Sequence, residues 1–243
     1  WLDGFCVRPK ITIHTTVDWQ LVIRFNQDID MPKIASMGRR NQPGLIVVDR
    51  TVTGPYENYA TPEQEVPAKP LNYPWETCMT MGNSWSYVPG DHYKSVHDLV
   101  QLLVKVVSRG GNFLMNIGPG PDGDWDPEAY KRLEGIGAWM KINGEGIYNS
   151  RAVAPYSAGN IYYTKSKDKN TVYAFVLANQ DAVALPSSLT IPLTGVKKVK
   201  KVSLLGGTQK LSWKSNEAGI QLTIPKSVRQ LALKEAACFK IDY

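Results

Sequence analysis

"SVHDLVQLLVKVVSRGGNFLMNIGPGPDG", Ser95 to Gly123, sets a helix, a break, a short apolar run and a Gly/Pro loop in immediate succession. Val96, Leu99, Leu103 and Val106 recur at helical spacing, and Gly110-Gly111 ends the run. "NFLMN" then reads as a strand that exits into "GPGPDG". The stretch therefore predicts one step of a strand-helix alternation, with polar and turn residues gathered at the strand exit.

The alternation extends both ways. Downstream, "DPEAYKRLEGIGAWMKING" predicts a second helix, with Asp126 as N-cap, Pro127 in the first turn and Gly144 past the end. Upstream, "QDIDMPKIASMGRRNQPG" predicts a helix capped by Asp30, with Ile34 and Met37 on its apolar face and Pro43-Gly44 as the stop. "LIVVDR" (45–50) reads as a strand buried on both faces, and "TMGNSWSY" (80–87) as another short strand. Residues 5–25 follow no clear period, although "PKITIHTTVDWQLVIRF" carries enough β-branched residues for a hairpin. Residues 1–148 thus predict a parallel sheet or a (β/α) barrel. After Tyr148 the pattern changes. "NIYYTKSKDKNTVYAFVLAN" predicts two alternating strands about a turn, and "SLTIPL", "VKKVKKVSLLG", "KLSWKS", "GIQLTIP" and "CFKIDY" continue as short strands. Residues 149–243 predict an all-β module of the sandwich type.

Bulk properties exclude several classes. The 243 residues carry a net charge of +6, but the basic residues are scattered except in "VKKVKKV", which reads as a solvated strand whose lysines guard a sheet edge. A nucleic-acid footprint would cluster them on one face, so no nucleic-acid partner is expected. No apolar run approaches the ~20 residues of a membrane span. Cys6, Cys78 and Cys238 have no CxxC spacing, and His14, His92 and His97 have no metal-ligand spacing, so neither a metal nor another cofactor is predicted. "GPGPDG" lacks the lysine and hydroxyl of a phosphate loop.

The chemistry rests on carboxylates. Asp3 in "WLDG" and Glu63 in "TPEQ" both sit at predicted strand exits, where barrel active sites collect. Two such acids beside aromatics are the equipment of glycoside hydrolysis. Pro62, Pro67 and Pro70 restrict the loop that carries Glu63. Glu65 is its rival two residues on. Trp75, Trp125 and Trp139 read as packing residues, and Asn112 and Asn116 flank a strand end, where they either orient the site or simply satisfy backbone groups.

"WLDG", "QPGLIVVDR", "NYATPEQEVP", "WETCMTMGNSWSY", "GGNFLMNIGPGPDG" and "RLEGIGAWMKINGEGIY" together resemble, in order and spacing, bacterial α-L-fucosidases of glycoside hydrolase family 29. The resemblance covers roughly residues 1–150. It implies the C-terminal part of a (β/α)8 TIM barrel followed by an antiparallel β-sandwich. It also implies a retaining exo-α-L-fucosidase that acts on fucosylated glycans or oligosaccharides without a cofactor. Asp3 matches the nucleophile, Glu63 the general acid/base of one large branch, Arg50 an arginine on the sugar, and Trp85 an aromatic against the fucose ring and its methyl group. In that division of labour, Arg50 helps keep Asp3 ionised, while a negative Asp3 and apolar walls keep Glu63 protonated until the leaving oxygen takes its proton. None of the three histidines matches the family's fucose-binding histidines. A barrel needs ~250 residues, so an upstream segment or another protomer is expected to complete it. A non-catalytic carbohydrate-binding fragment is the alternative. The resemblance further suggests a secreted or periplasmic location.

Overall fold

The computed structural model describes residues 30–48, 55–179, 185–193, 195–196, 198–229 and 234–243. Asp3, Arg50, Cys6, His14 and the stretch 5–25 lie outside them. The chain divides into two compact units, residues 1–62 with 72–76 and residues 63–71 with 77–243.

In the first unit, helix α1 spans Met31–Asn41. Asp30 caps it in the left-handed conformation, its carboxylate accepting from the Lys33 N–H at 3.4 Å. Met31 and Ala35 are buried with Ile34 and Val47, whereas Met37 is half exposed and turned off the expected face. Arg39 ties the helix to the following chain, donating to the Leu45 carbonyl, the Tyr56 carbonyl and Asn58 Oδ1. Of the predicted strand 45–50, the described part has only a parallel bridge, Val48 to Tyr59. It is not buried on both faces, because Ile46 is exposed and Val47 buried.

The second unit takes in strand β1 (Glu76–Thr80) from Thr77 onward, helix α2 (Val96–Ser108), strand β2 (Asn112–Asn116) and helix α3 (Pro127–Asn143). The Met81 N–H, just past β1, donates to the carbonyl of Asn116, the last residue of β2, at 2.9 Å. The two paired strands therefore end side by side and run in one direction, as a helical crossover requires. Ser95 and Asp126 cap the two helices through their side chains, accepting from the N–H groups of Asp98 and Glu128. Beyond the expected Val96, Leu99, Leu103 and Val106, the apolar stripe on α2 also takes in the buried Val100 and Val104. Leu99 packs with Met81 and Ala129, while Val100 and Val104 pack with Trp139. "TMGNSWSY" is no strand beyond Thr80. β1 begins earlier, at Glu76, and residues 81–95 form a long connection.

A β module follows. Strands β3 (Ser150–Ala158), β4 (Ile161–Ser166), β5 (Thr171–Leu177), β7 (Lys201–Leu204) and β10 (Ala236–Asp242) form an antiparallel sheet in the order β3-β4-β5-β10-β7. β6 (Ser188–Ile191), β9 (Gly219–Thr223) and β8 (Ser212–Asn216) form a second antiparallel sheet. One face of the first sheet, with the cross-strand rows Val172–Ile241–Val202 and Ala174–Phe239–Leu204, packs with Ile191, Ile220 and Leu222 of the second. Burying each Val, Ile, Leu or Phe side chain here stabilises by about 1.5–3 kcal/mol. A β-sandwich core results.

The alternation expected of β5 does not appear, because every residue of it is buried. Its other face, Tyr173, Phe175 and Leu177, packs with Val100, Val104 and Trp139 of the helices. Trp139 Nε1–H donates to the Ala236 carbonyl at 3.0 Å, so its polar edge is satisfied as well. β7 is an edge strand with Lys201 exposed, but "VKKVKKV" enters regular strand only at Lys201. A short helix, α4 (Lys226–Arg229), interrupts the β pattern where none was expected.

Candidate active site

Two of the four sequence-predicted site residues, Glu63 and Trp85, fall in the described part of the second unit. Asp3 and Arg50 lie outside the described residues. Glu63 is exposed and forms a parallel bridge with Cys78 in β1. Gln64 N–H donates to the Cys78 carbonyl at 2.9 Å, and Gln64 Nε2 to Thr80 Oγ1 at 3.1 Å. Thr77 Oγ1 donates to the Glu65 carbonyl at 2.8 Å. The loop carrying the acid is thus laid along β1 by backbone and side-chain bonds. Gln64 adopts a left-handed φ of 55°. That turn breaks the extended run between Glu63 and Glu65, both of which are exposed.

Trp85 rides the connection that leaves β1. Lys94 closes the base of this loop: its Nζ donates to the carbonyls of Thr80 and Gly82 at 2.7 and 3.2 Å, and its N–H to the Met81 carbonyl at 2.9 Å. Asp91 braces the loop from inside. Its carboxylate accepts from the N–H groups of Asn83 (3.0 and 3.2 Å), Ser84 (3.3 Å) and His92 (2.7 Å). A Cβ on Gly82 would lie 2.2 Å from Asp91 Oδ2, so a side chain there would push the bracing carboxylate out of place. On this frame Trp85 remains 41% exposed, its side chain open to solvent rather than packed into the core.

Asn116 closes the neighbouring strand. Its Oδ1 is buried and has no donor among the described residues. A buried acceptor of this kind is costly until something donates to it. Sequence reading left Asn116 between orienting and structural roles and missed Asp91 and Lys94. A turn sequence such as "PGD" gives no local sign that its carboxylate will gather three amides.

Trp75 and Trp139 are buried as expected, at 1% and 6% exposure, but Trp125 is not a packing residue: it is 38% exposed. Among the described residues no group of three or more His, Cys, Asp or Glu side chains is placed to hold a metal. In the first unit, an open groove of about 540 Å³ is lined by Pro32, Ala35, Ser36, Arg39, Arg40, Pro55 and Tyr56. It includes none of the predicted site residues.

A family model described as alpha-L-fucosidase matches residues 1–145, and one described as alpha-L-fucosidase C-terminal domain matches residues 155–242. The chain belongs to the α-L-fucosidase family. This fucosidase-family chain is 36% identical over 186 residues to plasma alpha-L-fucosidase of Rattus norvegicus, covering 72% of the chain and 40% of that protein. To the Homo sapiens plasma enzyme it is 34% identical over 188 residues, covering 74% and 39%. The chain thus spans well under half the length of these curated relatives. Among solved structures, it is similar to alpha-L-fucosidase isoenzyme 1 from Paenibacillus thiaminolyticus, with TM-score 0.72, 26% identity, and 86% of this chain and 52% of that one covered. It is also similar to Thermotoga maritima alpha-fucosidase in complex with fucose, with TM-score 0.72, 26% identity, and 87% and 48% covered. The antiparallel double-sheet module corresponds to the family's C-terminal domain.

Proposed function

We propose that this chain is the C-terminal portion of a bacterial retaining exo-α-L-fucosidase that releases terminal fucose from glycans or oligosaccharides. In this reading, residues 1–148 form part of a (β/α)8 barrel and residues 149–243 its β-sandwich. The remaining strands come from a longer chain or from another protomer, and the enzyme works outside the cytoplasm, secreted or periplasmic. The observation that carries the reading is the family match across residues 1–145 and 155–242, joined to a carboxylate loop held along β1.

The chemistry follows a double displacement. Asp3, ionised beside Arg50, attacks the anomeric carbon while Glu63 protonates the departing oxygen. The fucosyl-Asp3 ester forms as the glycosidic bond breaks. Glu63, now a carboxylate, takes a proton from water, which opens the ester with net retention. Trp85 offers an apolar face suited to the methyl group that fucose carries where galactose has a hydroxymethyl group. No metal or organic cofactor is needed for these steps.

The test is release from an aryl α-L-fucoside by the full-length protein, followed by NMR of the first-formed sugar, with the aryl galactoside as control. Fast release of α-L-fucose and slow galactoside turnover are expected. Binding without turnover of the fucoside would instead make the protein a carbohydrate-binding remnant.

A further inference from the structure

Trp125 and Tyr130 form an exposed aromatic pair that the double displacement leaves without a task. Their ring centroids lie 5.5 Å apart at 45°, and they are 38% and 43% exposed. Single exposed aromatics are ordinary, but this pair is fixed in place. The Tyr130 hydroxyl donates to Asp124 Oδ1 at 2.5 Å, and the Trp125 N–H donates to the same oxygen at 2.8 Å. Asp126 and Pro127 start α3 directly behind them, so Tyr130 stands on the first turns of a capped helix.

We infer that this pair, with Asp124 beside it, is a sugar platform that holds the pyranose to which the fucose is attached, and so sets preference for the leaving group. The inference rests on the fucosidase reading above.

Two features support it. The first is position. Gly118 lies against the backbone of Ser86 and Tyr87, and the Tyr87 ring stands 3.7 Å from where a Cβ on Gly120 would be. The turn leading to Trp125 is therefore packed on the loop that presents Trp85. The second is chemistry. A pyranose has an apolar C–H face and a rim of hydroxyl groups. Two rings tilted at 45° make a shallow apolar cradle for that face. The Tyr130 hydroxyl holds the Asp124 carboxyl below its ordinary range, with help from the Trp125 N–H. Asp124 stays ionised, and its Oδ2 has no donor among the described residues, leaving an acceptor at the rim for a sugar hydroxyl.

The test compares a substrate with a sugar leaving group, fucosyl-lactose, and one with none, α-L-fucosyl fluoride. In Trp125→Ala, kcat/KM for fucosyl-lactose should fall about tenfold, chiefly through KM, while the fluoride stays within about twofold. Trp125→Phe, which keeps an aromatic face, should retain most of the activity on fucosyl-lactose. Equal losses on both substrates, or none on either, overturn the inference. Saturation-transfer NMR with lactose alone gives a readout independent of turnover: transfer should be present in the unmodified protein and in Glu63→Gln, and absent in Trp125→Ala. If the unmodified protein hydrolyses neither substrate, the fucosidase reading fails, and the lactose signal still decides the platform. Loss of that signal in Trp125→Ala supports it, and an unchanged or absent signal rejects it.

Discussion

Gly118 lies so close to Tyr87 that a Cβ on the glycine would stand 2.4 Å from the Tyr87 nitrogen. The atoms in the way are backbone, including the Ser86 carbonyl carbon at 2.5 Å, so no side-chain rotation relieves the clash. The loop after β2 and the loop after β1 interlock at this point, and the second of them carries Trp85.

Gly118→Ala should therefore displace the Trp85 loop. We expect a stability loss of about 1–3 kcal/mol from overpacking and a fall in kcat/KM on aryl fucoside of up to about 100-fold from misplacement. Gly137→Ala is the control. It sits in α3 with nothing within 4 Å of an added Cβ, so it should be neutral or slightly stabilising. Thermal melts and steady-state kinetics on both variants give the comparison. Full activity in Gly118→Ala would show that the interlock does not position Trp85.

Glu63 and Glu65 flank the left-handed Gln64, and the proposed mechanism assigns the acid to Glu63. Glu63→Gln should cost about 10²–10⁴-fold on a poor leaving group and far less on a good one, because an acid matters most where the departing oxygen needs its proton. Glu65→Gln should leave that dependence unchanged. The check is a leaving-group series of aryl fucosides. If Glu65→Gln alone shows the steep dependence, the acid has been assigned to the wrong carboxylate.

Glu145 gives a pH dependence to the β module. Its Oε1 accepts from Lys240 Nζ at 2.6 Å and from the Tyr173 hydroxyl at 2.9 Å. The Lys240 hydrogen bond, with that of Tyr173 and against the opposing cost of burial, holds its carboxyl below the ordinary value of 4.5. The unfolded chain therefore takes up the proton first. The stability from this contact is present above pH 4.5 and is lost as the pH falls through the folded-state value. The Glu145 side chain is 40% exposed, so the effect is small, within the roughly 0–1 kcal/mol of surface pairs. Thermal midpoints of the native protein and Glu145→Gln should differ near neutrality and converge in acid. A gap that is constant across pH would mean the pair contributes nothing through its charge.

The candidate site is only partly legible in the sequence. "TPEQ" and "NSWSY" single out Glu63 and Trp85 as candidates because their neighbours form a motif series, and the prolines mark a restricted loop. The brace that holds Trp85 was not legible, since Asp91 reaches back to Asn83 and Ser84 across a turn whose shape no periodicity encodes. Asn116 was left undecided for the same reason: whether its oxygen finds a donor depends on what other segments bring near it.

By itself the sequence determined α1, α2, α3, the caps at Asp30 and Asp126, and the change to β structure after Tyr148. These depend on contacts within about four residues, which spacing and cap chemistry record directly. Only the tertiary structure decided that β5 is buried on both faces, that Met37 and Trp125 are exposed, and that the loops after β1 and β2 lock together at Gly118. Burial belongs to a residue together with whatever packs opposite it, and for β5 those partners lie on α2, α3 and β9, tens of positions away along the chain.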